Sequence, residues 1–200
     1  MNKSLWAMLI LAAAGVAHAE TPWSVKFGVS EVITQGDGGT LAGVYQGSTS
    51  NNLQFTPSIE YAFNHNISAE LLLATPFKHS VYLDGVKAAT VKQLPPTLSL
   101  KYTFPQYDGF KPYFGLGINY TRFWDAKTQG PLAGTKVSAG SSIGMAGLVG
   151  VAYAIPNTPF DVALDVRYVN LDSKIKLNGN KIGDLTINPW VVGVGATYHF

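Results

Sequence analysis

The chain contains no cysteine, and only 13% of its 200 residues are charged. Disulfides and thiolate metal sites are therefore excluded, and the redox compartment is left undetermined. Neither sign of charge dominates: 14 Lys and Arg face 12 Asp and Glu. So small a surplus points away from nucleic acid or an acidic partner. Apolar runs long enough for a membrane helix are also wanting. Leu5 to Val16 is too short to span a bilayer. With Lys3 before it and Ala17-His18-Ala19 after it, this run has the three parts of a secretory signal peptide. Residues 1–19 are expected to be cleaved, leaving 20–200 as one domain. The 24 uncharged residues between Lys136 and Asp161 would be long enough for a helix. Gly140, Gly144, Gly147 and Gly150 are poor helix formers, however, and Pro156 cuts the run.

What the chain does have is alternation. Split at its turn signals it yields eight segments, at about 22–34, 51–63, 66–78, 89–104, 110–124, 141–155, 159–172 and 185–200. Each is long enough for a tilted membrane strand. In the last segment Trp190, Val192, Val194, Ala196, Tyr198 and Phe200 oppose Val191, Gly193, Gly195, Thr197 and His199. In the fifth, Phe110, Phe114, Leu116, Ile118, Tyr120 and Trp124 oppose Lys111, Tyr113, Gly115, Gly117, Asn119 and Thr121. A bulky apolar face opposite a small or polar one describes a barrel with its greasy side outward. A soluble ligand-binding barrel would reverse the sizes. Aromatic residues gather near both ends of the segments, as membrane girdles require. The expectation is an all-β protein: an eight-stranded antiparallel transmembrane β-barrel of up-and-down topology, in the outer membrane of a Gram-negative cell. Short connections at Asn64-His65, Pro105 to Gly109 and Pro156 to Thr158 alternate with longer ones at 35–50, 79–88, 125–140 and 173–184. That places both termini and the short turns in the periplasm, with four loops outside.

Inward parity collects Lys26, Glu60, Glu70, Lys78, Lys101, Lys111, Asp161, Asp165 and Arg167. Eight strands leave an interior that side chains nearly fill, and buried charges persist when paired. The mixed signs point to an ionic plug in the periplasmic half rather than a charged selectivity ring. Above it, Val32, Leu72, Phe123, Leu148, Val169 and Leu171 take inward parity and describe an apolar pocket, although each could simply pack against its neighbours. Pro57, Pro76, Pro95 and Pro96 interrupt three consecutive strands. Proline cannot donate to a ladder, so these suggest either a locally opened wall or bulges that only bend the strands.

The segments Glu70-Leu71-Leu72-Leu73-Ala74-Thr75-Pro76-Phe77-Lys78-His79 and Leu94-Pro95-Pro96-Thr97-Leu98, followed by Lys101-Tyr102-Thr103-Phe104, resemble two signature strands of the outer membrane protein W family. Lys111-Pro112-Tyr113-Phe114-Gly115-Leu116-Gly117-Ile118-Asn119-Tyr120-Thr121 is similar to that family's fifth strand, and Asn188-Pro189-Trp190 with Tyr198-His199-Phe200 to its last. The resemblance implies an eight-stranded barrel with a hydrophobic lumen, blocked toward the periplasm and opening sideways into the membrane. It implies uptake of small hydrophobic molecules, including alkanes in one branch, with Pro76, Pro95 and Pro96 bordering the exit and Leu72, Leu148, Phe123 and Val169 lining the pocket. The shorter, less charged loops weaken any carry-over of receptor roles.

Passive transport without a cofactor is the leading expectation. A structural or adhesive barrel with a filled interior and no solute is the alternative. The expected partners are outer-membrane lipid and lipopolysaccharide, small hydrophobic solutes, and the barrel-assembly machinery reading Phe200. Catalysis is not expected. His65, His79 and His199 are scattered, with no serine partner evident and no metal-ligand spacing. Gly115-Leu116-Gly117 and Gly193-Val194-Gly195 lack the strand-turn-helix setting of a dinucleotide site.

Overall fold

A computed structural model describes residues 21–33, 40–41, 45–49, 52–75, 77–83, 86–130, 133–135, 137–177 and 180–200. The expected signal peptide lies outside them. In chain order the strands are β1 (Trp23–Ile33), β2 (Thr40–Leu41), β3 (Tyr45–Thr49), β4 (Asn52–Phe55), β5 (Ser58–Ala62), β6 (Ile67–Leu72), β7 (Phe77–Leu83) and β8 (Val86–Leu94). There follow β9 (Thr97–Thr103), β10 (Phe110–Thr128), β11 (Val137–Ala139), β12 (Ser142–Ala154), β13 (Phe160–Val169), β14 (Leu171–Leu177), β15 (Asn180–Ile187) and β16 (Trp190–His199).

Eight of these positions around the wall close a ring. β1 pairs with β4 and β5 on one side and with β16 on the other. The circuit continues β5–β6, β6–β9, β9–β10, β10–β12, β12–β13 and β13–β16, every pair antiparallel. Around the ring every wall strand thus has an antiparallel partner on each side, as lipid requires of a sheet that crosses it. The last residue completes the seam: the Thr21 amide donates to the Phe200 carbonyl at 2.9 Å, and the Phe200 amide to that of Trp23 at 3.3 Å.

The alternation read from the sequence sets the two faces. Leu116 (66% exposed), Met145 (70%), Ile143 (74%) and Val149 (60%) point outward. Glu70, Ser99, Asn119 and Thr121 are buried within the ring. At the end carrying the termini, rings meet edge to face or tilted. Trp23 lies 4.8 Å from Tyr61, Phe110 4.9 Å from Tyr153, Phe160 5.1 Å from Tyr198, and Tyr198 4.9 Å from Phe200. At the other end Tyr168 packs on Trp190 at 5.1 Å. Phe160 and Tyr168 are eight residues apart on β13. At about 3.4 Å per residue and a tilt near 40°, that separates the two girdles by roughly 21 Å, the height of a membrane band.

Two departures from the expected strands matter. The stretches 79–88 and 173–184, expected as loops, are largely paired. β7 and β8 form one hairpin and β14 and β15 another, while β8 also pairs with the far end of β10. Their Lys, Ser, Asn and Gly content reads as loop, yet a hairpin needs only its own ladder. Second, the expected continuous segments 51–63, 66–78 and 89–104 are each broken, at Thr56-Pro57, after Leu72, and at Pro95-Pro96.

The wall admits almost no bulk at one place. A Cβ on Gly144 would stand 1.6 Å from the Asn170 carbonyl oxygen. Asn170 cannot retreat freely, because its own amide donates to Met145 at 2.8 Å. We expect Gly144→Ala to destabilise the refolded barrel by at least 1–3 kcal/mol, the usual range of about that size for overpacking. A lowered urea midpoint of the detergent-refolded protein measures it.

Candidate functional site

Inward alternation brings acids and bases from distant parts of the chain into one cluster at mid-barrel. Arg167, from β13, is 2% exposed. Its Nη2 donates to Glu70 Oε2 at 2.7 Å and its Nε to Asp165 Oδ1 at 3.0 Å. Lys26 Nζ, from β1, lies 2.7 Å from Asp165 Oδ2 and 3.5 Å from Glu70 Oε1. Two cations thus face two carboxylates, and the group is neutral. Tyr113 joins it, its hydroxyl 3.3 Å from Asp165 Oδ2. Room for that ring comes from Gly150, where a Cβ would lie 2.5 Å from the Tyr113 hydroxyl.

The remaining expected charges form two smaller groups. Lys101 Nζ is 2.7 Å from Glu60 Oε2 and 4.4 Å from the centre of the Tyr113 ring, so Tyr113 links this pair to the cluster. Glu60 also accepts from the Ser68 hydroxyl. Nearer the end with the termini, Lys111 Nζ is 3.0 Å from Asp161 Oδ2, which also meets His199 Nε2 at 2.9 Å. Below the cluster opens a cavity of about 490 Å³, lined by Lys26, Glu60, Lys101, Lys111, Tyr113, Asp161 and His199 with the short turns at its rim. The Lys78 side chain lies outside the described residues. Among the described residues no group of three His, Asp or Glu is placed to hold a metal ion.

On the extracellular side of the cluster the lining is mixed rather than wholly apolar. Ala146, Val169 and Leu171 pack together with Phe123 against them. Val32, Leu72 and Leu148 are also buried. Interleaved are hydroxyls and an amide that satisfy one another across strands. Ser30 Oγ is 2.7 Å from Thr56 Oγ1, Asn119 Nδ2 donates to Thr97 Oγ1 at 2.9 Å, and Thr121 Oγ1 donates to Asn119 Oδ1 at 2.7 Å. Tyr113, Asn119 and Thr121 all carry inward parity in the sequence. Parity alone gave them no role, because it states which way a residue faces and not what it meets.

The prolines sit differently from one another. Between the rung Leu72↔Thr97 and the rung Phe77↔Gln93, the described residues 73–75 lie opposite the 94–96 stretch. On one flank the strand stays tied: the Leu73 amide donates to Pro57 at 2.8 Å and the Thr75 amide to Phe55 at 3.0 Å. On the other flank the Tyr120 amide donates to Pro96 at 2.9 Å, and Asn119 Nδ2 reaches the carbonyls of Pro95 and Pro96 at 3.3 Å each. Among the described residues no backbone hydrogen bond crosses between 73–75 and 95–96. Just beyond the Leu72↔Thr97 rung that ends the β6–β9 pairing, the ladder is therefore interrupted between residues 73–75 and 95–96. Pro57 lies one strand away with ladder bonds on both sides of it, and Pro76 is outside the described residues.

Residues 23–200 match the model of the OmpW family. Outer membrane protein W of Escherichia coli (strain K12) is 37% identical over 203 residues, covering 96% of this chain and 94% of that one. The solution structure of the E. coli protein superposes with a TM-score of 0.67 at 35% identity, covering 92% of this chain and 100% of that chain. The crystal structure of OprG from Pseudomonas aeruginosa does so with a TM-score of 0.75 at 26% identity, covering 93% and 99%. A closed eight-stranded barrel, lipid-facing outside and polar within, accounts for these likenesses along the whole described wall. The chain belongs to the OmpW family of Gram-negative outer-membrane β-barrels.

Proposed function

We propose that this barrel carries small hydrophobic molecules passively from outside the cell and releases them sideways into the outer membrane. The observation that carries the reading is the interrupted ladder between residues 73–75 and 95–96, just beyond the Leu72↔Thr97 rung and above the charged cluster. Lys26, Glu60, Glu70, Lys101, Lys111, Asp161, Asp165 and Arg167 act as the plug. Its ions are paired, so an apolar solute gains nothing by displacing them, and passage toward the periplasm is blocked. Val32, Leu72, Phe123, Leu148, Val169 and Leu171 offer the apolar contact, and Pro95 and Pro96 border the way out, with Pro76 assigned to the same edge by sequence.

No cofactor or energy source is required, because each step follows the transfer of apolar surface out of water, at about 25 cal/mol per Å². A solute burying roughly 100 Å² against Val169 and Leu148 would gain about 2.5 kcal/mol, enough to be held briefly and still leave. Lipid and lipopolysaccharide are the surroundings, and Phe200 is the residue offered to the barrel-assembly machinery.

The test is uptake of a hydrophobic fluorescent probe by cells with and without the protein. The same cells carrying Leu72→Asp or Val169→Asp form the third arm. The expected result is faster uptake with the protein and a return to background in either variant, at unchanged protein level in the outer membrane. Equal uptake in all arms would remove the proposal. One observation favours a second reading, a filled barrel of structural or adhesive role: Leu148 and Leu171 are only 4% exposed. That reading expects no uptake in any arm.

A further inference from the structure

The lipid-facing side of β10 ends in a charge. Phe114, Leu116, Ile118 and Tyr120 are exposed on its outward face, and Arg122 continues the same parity. From Phe110 in the periplasmic girdle to Tyr120 is ten residues. That is about 26 Å of height at about 3.4 Å per residue and a tilt near 40°, so Tyr120 marks the far edge of the apolar band. Arg122 stands about 5 Å beyond that edge, at the depth of the lipid head groups. It is exposed, and among the described residues no acid pairs with it. The register gives it basic neighbours. Arg122 pairs with Leu94 and Trp124 with Lys92, so Lys92 is the diagonal neighbour of Arg122 on the same face, a separation of roughly 7–8 Å. Lys92 in turn stands opposite Lys78 in the register of β7 and β8. Like charges directly opposite weaken a ladder, and an anion lying across both relieves that. The surplus is local: over 77–94 and 122–128, Lys78, Lys87, Lys92, Arg122 and Lys127 meet Asp84 and Asp125, five cations to two acids. That surplus of three exceeds the net charge of +2 on the whole chain.

We infer that this face, Arg122 with Lys92 and Lys78 beyond Tyr120, binds the phosphate groups of lipid A, the phosphorylated glycolipid of the outer leaflet. Height, charge and shape choose that occupant. Its phosphates lie where acyl chains give way to sugar, the depth at which these cations stand. The planar fork of Arg122 suits phosphate oxygens, which it can engage in pairs. Beneath it Ile118, its ladder partner Leu98, and Ile143 beside Tyr120 are all exposed and apolar, a wall for the acyl chains. Lipid A carries two phosphates on a broad head group, so one molecule can meet Arg122 and the lysine row together, which a lipid with a single phosphate cannot. The inference does not depend on the uptake reading, because a barrel that carries no solute would keep the same outer wall.

Arginine occurs twice in the chain, at 122 and 167. Labelling with ¹⁵N-arginine therefore gives two guanidinium environments, one at the site and one buried in the cluster as an internal control. The whole protein in phosphatidylcholine nanodiscs receives, in separate samples, lipid A, lipid A stripped of its phosphates, or phosphatidylglycerol. The expected result is a shift at Arg122 with lipid A well above that with either other lipid, and Arg167 unmoved. Lys92→Gln should weaken lipid A binding about fivefold, the worth of one cation near an anionic lipid surface, and Arg122→Gln at least as much, read as lipid A bound per barrel by native mass spectrometry. An Arg122 signal that lipid A leaves in place, or moves no further than stripped lipid A or phosphatidylglycerol does, overturns the inference. So does undiminished lipid A binding in both variants.

Discussion

Replacing Arg167 with methionine should cost the barrel about 3–5 kcal/mol, the usual penalty for stripping one partner from a buried ion pair. The loss is large because Arg167 serves two acids at once, at 2.7 Å and 3.0 Å, and is 2% exposed. Lys26 alone would then face Glu70 and Asp165, one cation against two anions in a site with no solvent to spare. Restoring balance should restore stability: Arg167→Met combined with Glu70→Gln leaves Lys26 with Asp165 and should recover most of the loss. Urea unfolding of the detergent-refolded protein, followed by tryptophan fluorescence, reads both variants. An Arg167→Met barrel as stable as the native one would mean that the cluster contributes nothing to holding the lumen shut.

Much of this arrangement was legible in the sequence, and the reason is the pleat. A period of two survives tilt and curvature, so Trp190 to Phe200 and Phe110 to Tyr120 declare their outward faces directly. The same parity put Lys26, Glu70, Asp165 and Arg167 inside, and the narrowness of eight strands required them to meet. What parity cannot give is height and partner. It grouped Lys111 and Asp161 with the other charges, whereas the fold sets them with His199 near the periplasmic rim. It did not foresee that Tyr113 would bridge Lys101 to Asp165, because that contact needs the space over Gly150, on a neighbouring strand. Six apolar residues of inward parity were expected to form a pocket in the upper lumen. Thr97, Asn119 and Thr121 lie there because they bond one another, which removes most of the cost of burying them. Prolines announced an interruption of the ladder, but not between which strands it falls. Asn119 and Tyr120 hold Pro95 and Pro96 to β10, and no described backbone bond joins them to residues 73–75.

Sealing that seam should abolish uptake while leaving the barrel intact, the second large effect expected. The lumen side chains would be unchanged, so binding of a probe would persist while its release into the bilayer would not. This separates a lateral exit from a simple pore, because a pore would be indifferent to a bond placed in its wall. The chain is suited to the experiment, since it has no cysteine of its own. Ala74→Cys and Pro95→Cys therefore introduce the sole thiol pair, one on each side of the unbonded seam.

The decisive measurement is uptake of a hydrophobic fluorescent probe by cells carrying that double variant. It is recorded before joining the two thiols with a short, reducible bifunctional reagent, after joining them, and again after reduction. Lateral release requires near-native uptake before joining, uptake at the level of cells without the barrel once joined, and recovery on reduction. Uptake that continues unchanged across the joined seam would contradict it.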